Sequence, residues 1–399
     1  MNYDMSSYFE DPEFKEALEK YEGMVKNHTP AYFDADELTD IAEYYASKGR
    51  QIEAEAAIDF ALQLHPNDTD ALIFRARSLA MKGRLDEAYM VMDLIEDRSD
   101  REVRFLKADL LMEEKRMEEA DHVFEELAAY EEGKLETLID IILAYIDANQ
   151  EALAKKWIKH VGETYDLASL SQKNQKFRDL LCDFYITFNN PEAAIPLLQA
   201  TLDCYPYSIN HWNSLGKCYL STNDYEEAHE AIDFALAIDD SNAEALTLKA
   251  FCYQQSGELQ KSCDYYLRLA EQQENKTRAY LALAKTYFEM QDYTSSIYYI
   301  EALLDNKDAL SKYELSELYG DIALCHAALK HIGVGQASIR RSLELNENDP
   351  DTLIVAGRFF LMEAKACNDE TAKAENQAKG ELYFRQALNL ILSLIHISE

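Results

Sequence analysis

The sequence predicts an all-α protein, built as a solenoid of about ten helical hairpins, and three observations support this prediction. Glycine and proline are scarce, with 12 and 7 residues in a chain of 399, whereas strand-rich folds need many turns. The phrase AIDFAL occurs twice, beginning at Ala57 and at Ala231. The pattern around that phrase recurs about every 34 residues, which is typical of a helical repeat.

The first segment of the chain does not fit this repeat. Asp11-Pro12 opens a stretch that is typical of an acidic amphipathic helix, because proline is favoured in the first turn of a helix. We expect residues 1–34 to cap the first hairpin. A docking or autoinhibitory segment is the alternative.

Repeat units account for residues 35–390. They begin near residues 35, 69, 101, 135, 175, 209, 243, 277, 316 and 350. Positions 4, 7, 8 and 11 of a unit share one face of a first helix, and positions 20, 24 and 27 share one face of a second helix. Two helices cross closely only where small side chains meet. In the unit that begins at 209, Gly216 and Ala228 are these small residues.

Small residues recur at both positions along the chain. Position 20 is small in all ten units: Ala54, Ala88, Ala120, Ala154, Ala194, Ala228, Ser262, Ser296, Gly335 and Gly380. Position 8 is small in nine units, and Ile142 is the exception. We therefore interpret Cys182, at position 8 of its unit, as a packing residue and not as a nucleophile.

This pattern resembles the tetratricopeptide repeat. The unit that begins at 209 carries the bulky, small and aromatic residues of that repeat, namely Trp212, Leu215, Gly216, Tyr219, Ala228, Ile232 and Ala235. It departs from the family at Asp240, which stands where a proline is usual. The resemblance extends over most of the chain, and it implies that the hairpins stack into a right-handed superhelix.

The end of the sequence departs from the repeat. The frame places a polar turn after Leu390, but the sequence there is apolar. We expect residues 391–399 to form an atypical tail that is truncated or non-native.

Charge and composition exclude several classes of partner. The formal net charge is −35, and no cluster of Lys and Arg is present to bind nucleic acid. Anionic membrane surfaces would repel the chain, and no apolar run approaches the length of a membrane span. The seven cysteines are scattered and form no CxxC pair, which favours reduced thiols in the cytoplasm. We therefore expect a cytoplasmic protein that binds neither nucleic acid nor membranes.

No motif for catalysis, a metal ion or a cofactor is present. The sequence contains no GxxxxGK[ST], GxGxxG, HExxH or GxSxG. Asp179 and Asp183 stand one helical turn apart, but a metal site needs further converging ligands. A solvated acidic face is the simpler interpretation, so we assign no catalytic residue, metal or cofactor.

The resemblance also implies a binding groove, lined by the first helix of each unit. The candidate groove residues are Ile73, Arg77, Phe105, Ile139, Asp179, Asp183, Asn213, Lys217, Thr247, Phe251, Leu281 and Lys285. Exposed apolar members would suit an extended or helical peptide. The alternative is that neighbouring helices cover them. Lys217 and Lys285 are the candidates for binding an anionic group of the ligand. Some relatives hold the C-terminal carboxylate of a peptide with Lys and Asn side chains, but here Phe251 stands where that arrangement needs an Asn.

The function predicted from these observations is a non-catalytic scaffold or adaptor that binds a peptide or a protein surface in the groove. The alternative is a regulator or co-chaperone, in which a ligand changes the shape of a flexible stack. An enzyme is the least favoured class, because the repeats leave no segment large enough for a catalytic domain.

Overall fold

The computed structural model describes residues 8–9, 11–27, 30–305 and 310–398, and it describes side chains as far as residue 393. This part of the chain forms α-helices and one short 3₁₀-helix, with no strand, which confirms the predicted all-α class. The helices group into two compact units, residues 1–190 and 191–399.

Residues 1–190 contain eleven described helices, most of them paired in antiparallel hairpins. They are α1 Pro12–Asn27, α2 Ala35–Ser47, α3 Gln51–Leu64, α4 Thr69–Met81, α5 Leu85–Met92, α6 Arg101–Glu113, α7 Met117–Tyr130, α8 Leu135–Asp147, α9 Glu151–Thr164, α10 Leu167–Lys173 and α11 Gln175–Thr187. The first helices of the hairpins are α2, α4, α6 and α8, and α2 contacts α4 as α4 contacts α6.

Residues 191–399 also contain eleven described α-helices. They are α12 Pro191–Cys204, α13 Ile209–Thr222, α14 Tyr225–Ile238, α15 Ala243–Gln255, α16 Leu259–Ala270, α17 Lys276–Glu289, α18 Tyr293–Leu304, α19 Lys312–Ala328, α20 Ile332–Leu345, α21 Pro350–Ala366 and α22 Glu370–Ser398. The first helices of the hairpins in this unit are α13, α15, α17, α19 and α21, and each contacts the helix that follows it.

Small residues allow the two helices of a hairpin to cross closely. A Cβ added to Gly216 would lie 2.7 Å from Cγ1 of Ile232, and Ala228 beside it is fully buried. In a later hairpin, a Cβ added to Gly380 would lie 3.0 Å from the backbone oxygen of Gly357. These contacts join position 8 of the repeat to position 24 in the hairpin of Gly216 and to position 20 in the later one.

Tight turns separate the helices of each hairpin. Asn223, between α13 and α14, has a φ of 62°, and Gly83, between α4 and α5, has a φ of 72°. Glycine and, among the other residues, asparagine adopt this left-handed conformation at the lowest cost. The chain can therefore reverse direction within a few residues.

The N-terminal helix α1 packs on the first hairpin. Phe14 and Tyr21 are buried in one cluster with Phe33, Leu38 and Ile41. The ring centroids of Tyr21 and Phe33 lie 5.9 Å apart. This contact is consistent with a capping role for residues 1–34, which remains a prediction.

Two features depart from a regular repeat. Helix α10 is an additional helix between α9 and α11, and Leu167 at its start lies against Gly162. Helix α22 continues to Ser398, so the turn that the repeat would place after Leu390 does not occur there. The predicted tail 391–399 falls partly outside the described residues, since Glu399 and the side chains of residues 394–398 are not described.

Candidate functional site

The first helices of residues 1–190 form a surface that holds an open pocket of about 430 Å³. We call this surface, which is built by α4, α6 and α8, the first-helix face. Its pocket is lined by Arg77, Arg101, Glu102, Phe105, Asp109, Met112, Glu113, Asp140, Leu143, Ala144, Asp147 and Ala148. Apolar groups from α6 and α8 are therefore surrounded by charged groups from all three helices.

Two arginines connect the three helices. Arg77 of α4 lies 3.6 Å from a carboxylate oxygen of Glu102 and 3.5 Å from one of Asp109, both on α6. Arg101 of α6 donates a hydrogen bond to Asp140 of α8. The guanidinium of Arg101 also lies over the ring of Phe105, 5.1 Å from its centroid. Ion pairs and a cation–π contact thus fix the positions of the charged groups in the pocket.

The pocket is acidic in spite of these arginines. Five carboxylates line it, against two guanidinium groups. Burial raises the pKa of Asp109, and the nearby Arg77 opposes this rise. Burial likewise raises the pKa of Asp140, against the effect of Arg101. The pKa values of Asp109 and Asp140 are raised because the two arginines do not fully offset the effect of burial on these carboxylates.

The structure separates the candidate groove residues of this unit into two groups. Arg77 and Phe105 line the pocket. Ile73 and Ile139, which are 4% and 6% exposed, do not line it, and Phe105 is itself only 7% exposed. The alternative of coverage by neighbouring helices therefore applies to both isoleucines and, in large part, to Phe105.

Asp179 and Asp183 lie on α11, away from the pocket lining. Asp179 is buried, whereas Asp183 is exposed. Among the described residues, no group of three or more His, Cys, Asp or Glu side chains is arranged to hold a metal ion.

Asn213 and Lys217 of α13 share one partner on the next first helix. The Asn213 amide donates hydrogen bonds to Asn242 at 3.1 Å and to Glu244 at 3.0 Å. Lys217 forms an ion pair with the other carboxylate oxygen of Glu244. Its charge is therefore compensated within the protein, which weakens the case for Lys217 as an anion-binding group.

The remaining candidates are dispersed over α15 and α17. Thr247 donates its hydroxyl hydrogen to the carbonyl of Ala243 at 2.7 Å, within its own helix. Phe251 is 42% exposed, whereas Leu281 is half-buried against a core cluster. Lys285 is exposed. Lys285 therefore keeps the accessibility that an anion-binding group would need.

Sequence reasoning missed Arg101 and Asp140 as site residues. Arg101 stands at the first position of its unit, which is not a groove position of the repeat. It reaches the pocket because its long side chain lies over Phe105. The opposite charges of Arg101 and Asp140 on successive first helices were the signal that could have identified this pair.

A search of the described residues for a helix long and apolar enough to cross a bilayer gives none.

Comparison with known proteins shows what two segments of the repeat array are similar to. The family model described as tetratricopeptide repeat matches residues 39–89 and 213–277. Among curated proteins, the chain is similar to the formate-dependent nitrite reductase complex subunit NrfG of Escherichia coli O157:H7. The two are 26% identical over 191 residues, which cover 46% of this chain and 89% of NrfG.

Solved structures of repeat proteins also match. The chain is 19% identical to MamA, with a TM-score of 0.39, over 45% of this chain and 94% of MamA. It is 15% identical to a tetratricopeptide repeat protein from Parabacteroides merdae, with a TM-score of 0.39, over 59% of this chain and 91% of that protein. It is 17% identical to PilF of Pseudomonas aeruginosa, with a TM-score of 0.38, over 52% of this chain and 97% of PilF.

Proposed function

Because the tetratricopeptide repeat model matches two segments of the chain, we propose that it is a non-catalytic scaffold or adaptor that binds a peptide or a partner surface. Proteins of this family generally mediate interactions between proteins. The binding site in this proposal is the pocket of the first-helix face in residues 1–190.

One observation carries the proposal, namely the composition of this pocket. Leu143 is half-buried, Phe105 and Met112 are each 7% exposed, and charged groups surround these three apolar residues. Apolar groups with a few fixed polar groups are the usual lining of a ligand site, and an exposed groove of this kind suits an extended peptide. The excess of carboxylates over arginines favours a peptide that presents N–H donors or a positive charge.

Similarity to NrfG gives separate support for a role within a protein complex. NrfG is by name a subunit of a nitrite reductase complex. We also propose a cytoplasmic location, as the sequence predicts. Five of the seven cysteines are buried free thiols, which suits a reducing compartment.

The test reverses two charges at the edge of the pocket. Glu113 and Asp147 are exposed lining residues. The double variant Glu113→Lys/Asp147→Lys changes the partner-facing charge without removing a core side chain. Affinity capture from native extract, quantified by mass spectrometry, identifies the partner with the unaltered chain. Its binding to the purified double variant should be weaker by about tenfold or more.

A matched control makes the same charge change on second helices. Asp86 of α5 and Glu118 of α7 are exposed and do not line the pocket. The control variant Asp86→Lys/Glu118→Lys should bind the partner as the unaltered chain does. Equal binding by the pocket variant, or equal loss in the control, would contradict the proposed site.

A further inference from the structure

A second pocket lies in residues 191–399, between the helices α12 and α14. It has a volume of about 480 Å³. Its lining residues are Gln199, Leu202, Asp203, Pro206, Trp212, Leu215, Tyr219, Glu227, Glu230, Ala231 and Phe234. None of them is a candidate groove residue, so this surface is separate from the first-helix face. We call it the aromatic pocket.

Stacked rings form one wall of the aromatic pocket. The ring centroids of Trp212 and Phe234 lie 4.5 Å apart, with 19° between the ring planes. The indole N–H of Trp212 donates to the carbonyl of Pro206 at 2.8 Å, which fixes the indole ring. Phe234 nevertheless remains 54% exposed. An aromatic ring held in place at the surface is typical of a binding site.

Negative charge surrounds these rings without a matching positive charge. Asp203, Glu227 and Glu230 line the pocket and are exposed, and no Lys, Arg or His is among the lining residues. This differs from the pocket of the first-helix face, where two arginines are present. Three carboxylates beside an aromatic surface give a local negative potential that attracts an organic cation.

We propose that the aromatic pocket binds an arginine side chain of a basic peptide segment in a partner protein. A guanidinium stacks on aromatic rings and forms paired hydrogen bonds with carboxylates. It is also less strongly hydrated than an ammonium group, so its transfer to a partly apolar surface costs less. Arginine therefore fits both the rings and the carboxylates of the pocket.

The next repeat contains a guanidinium at the corresponding place. Arg268 of α16 occupies the repeat position that Phe234 occupies in α14. It lies over the ring of Tyr265, 5.5 Å from its centroid, and donates to the carbonyl of Asp240 at 2.7 Å. Asp240 is the repeat equivalent of Pro206. The neighbouring site is thus occupied by an arginine of the chain itself. In the aromatic pocket Phe234 stands at that position and the Pro206 carbonyl already accepts from Trp212, so the three carboxylates are the acceptors for a cation from a partner.

The two tryptophans of the chain provide a direct test. Each tryptophan gives one indole N–H signal in an NMR spectrum of the protein. Trp212 borders the pocket. Trp157 lies in the other unit and is 2% exposed, so its signal serves as an internal reference. The probe is the synthetic peptide acetyl-Gly-Leu-Arg-Gly-Arg-Gly-amide, at an ionic strength of about 0.15 M to screen nonspecific attraction. Variant Trp212→Phe assigns the two signals.

The arginine peptide should shift the Trp212 signal in a saturable manner and leave the Trp157 signal unchanged. The lysine analogue should bind several-fold more weakly. The citrulline analogue, which keeps the shape but lacks the charge, should bind at least about tenfold more weakly. Absence of a saturable Trp212 shift, or equal binding of the citrulline and arginine peptides, would overturn the proposal.

Paired variants separate the pocket from the general acidity of the chain. Glu227→Gln/Glu230→Gln should weaken binding of the arginine peptide by about tenfold. The control Glu271→Gln/Glu274→Gln removes the same charge from two exposed residues outside the pocket lining and should change binding less than about twofold. Equal weakening in both variants would mean nonspecific attraction and would also overturn the proposal. These outcomes do not depend on the first-helix face.

Discussion

The pKa of the Asp321 carboxyl group, on α19, departs strongly from its usual value. Burial raises its pKa from 3.8 to about 6, although Lys285 and Arg358 oppose the rise. A folded-state pKa above the unfolded value means that the folded chain binds the proton more tightly. The ionised form therefore destabilises the fold above pH 6, and this penalty decreases as the pH falls from 6 to 4.

Replacement of Asp321 by Asn should thus stabilise the protein at pH 7.5, by about 1–3 kcal/mol. The difference from the unaltered chain should shrink as the pH is lowered from 6.5 to 4, since Asp321 then becomes neutral. Urea denaturation followed by circular dichroism at several pH values measures this difference. Asp264→Asn removes an exposed carboxylate of α16 and is the control. A difference independent of pH would show that Asp321 ionises normally.

Two glycines of α20 test how closely this helix approaches its neighbours. A Cβ added to Gly335 would lie 2.6 Å from Cε2 of Phe359 and 3.3 Å from the backbone oxygen of Ala323, whereas one added to Gly333 would meet no atom within 4 Å. Gly335→Ala should therefore destabilise the protein by about 1–3 kcal/mol through overpacking. Gly333→Ala should be neutral or stabilising by up to about 1 kcal/mol, because alanine is the better helix former.

Thermal and urea denaturation of the two glycine variants measure both effects in the same helix. If both variants were equally stable, the close crossing of α20 with its neighbours would be wrong. Destabilisation by Gly335→Ala, but not by Gly333→Ala, would show that a small residue is required only at the helix crossing.

The hairpins were predictable because the information is local. Gly216 and Ala228 recur with the repeat, and the spacing between them identifies two crossing helices without any long-range contact. The starts of the first helices follow from the same pattern. Helix α10 was not predicted, since residues 167–173 lie between two repeats and carry no periodic signal.

The candidate site was less predictable, because it depends on distances between successive helices. The same groove rule selected Phe105, which is 7% exposed and lines the pocket, and Ile139, which is 6% exposed and does not. The repeat position therefore does not decide which of two nearly buried residues borders the pocket. The pair of Arg101 and Asp140 depends in turn on how far a long side chain extends across that gap. The repeat pattern gives neither the distance between successive helices nor the reach of a long side chain.

The net charge is a property of the whole molecule, and the repeat pattern does not determine it. Acidic residues number 74 and basic residues 39, which gives the formal net charge of −35. Some carboxylates are compensated, as where Arg116 pairs with Glu114 and Glu119. The 35 acidic residues in excess have no basic residue to match them, and repulsion between their carboxylates destabilises a folded chain.

Added salt should therefore stabilise the protein. Between 0.01 M and 0.15 M NaCl the screening length falls from about 30 Å to about 8 Å, which weakens repulsion between distant carboxylates. The same salt weakens surface ion pairs, but these contribute only about 0–1 kcal/mol each. Repulsion extends over many pairs, so its loss should dominate, and the thermal midpoint should rise by several degrees.

Differential scanning calorimetry in NaCl and in tetramethylammonium chloride separates screening from specific binding of sodium. Equal rises in both salts would indicate screening, because the two salts share a Debye length at equal concentration. A midpoint that falls with salt would mean that networks such as Arg116 with its two glutamates outweigh the repulsion. In that case the excess of carboxylates would lie far enough apart on the surface to be stabilised by solvent alone.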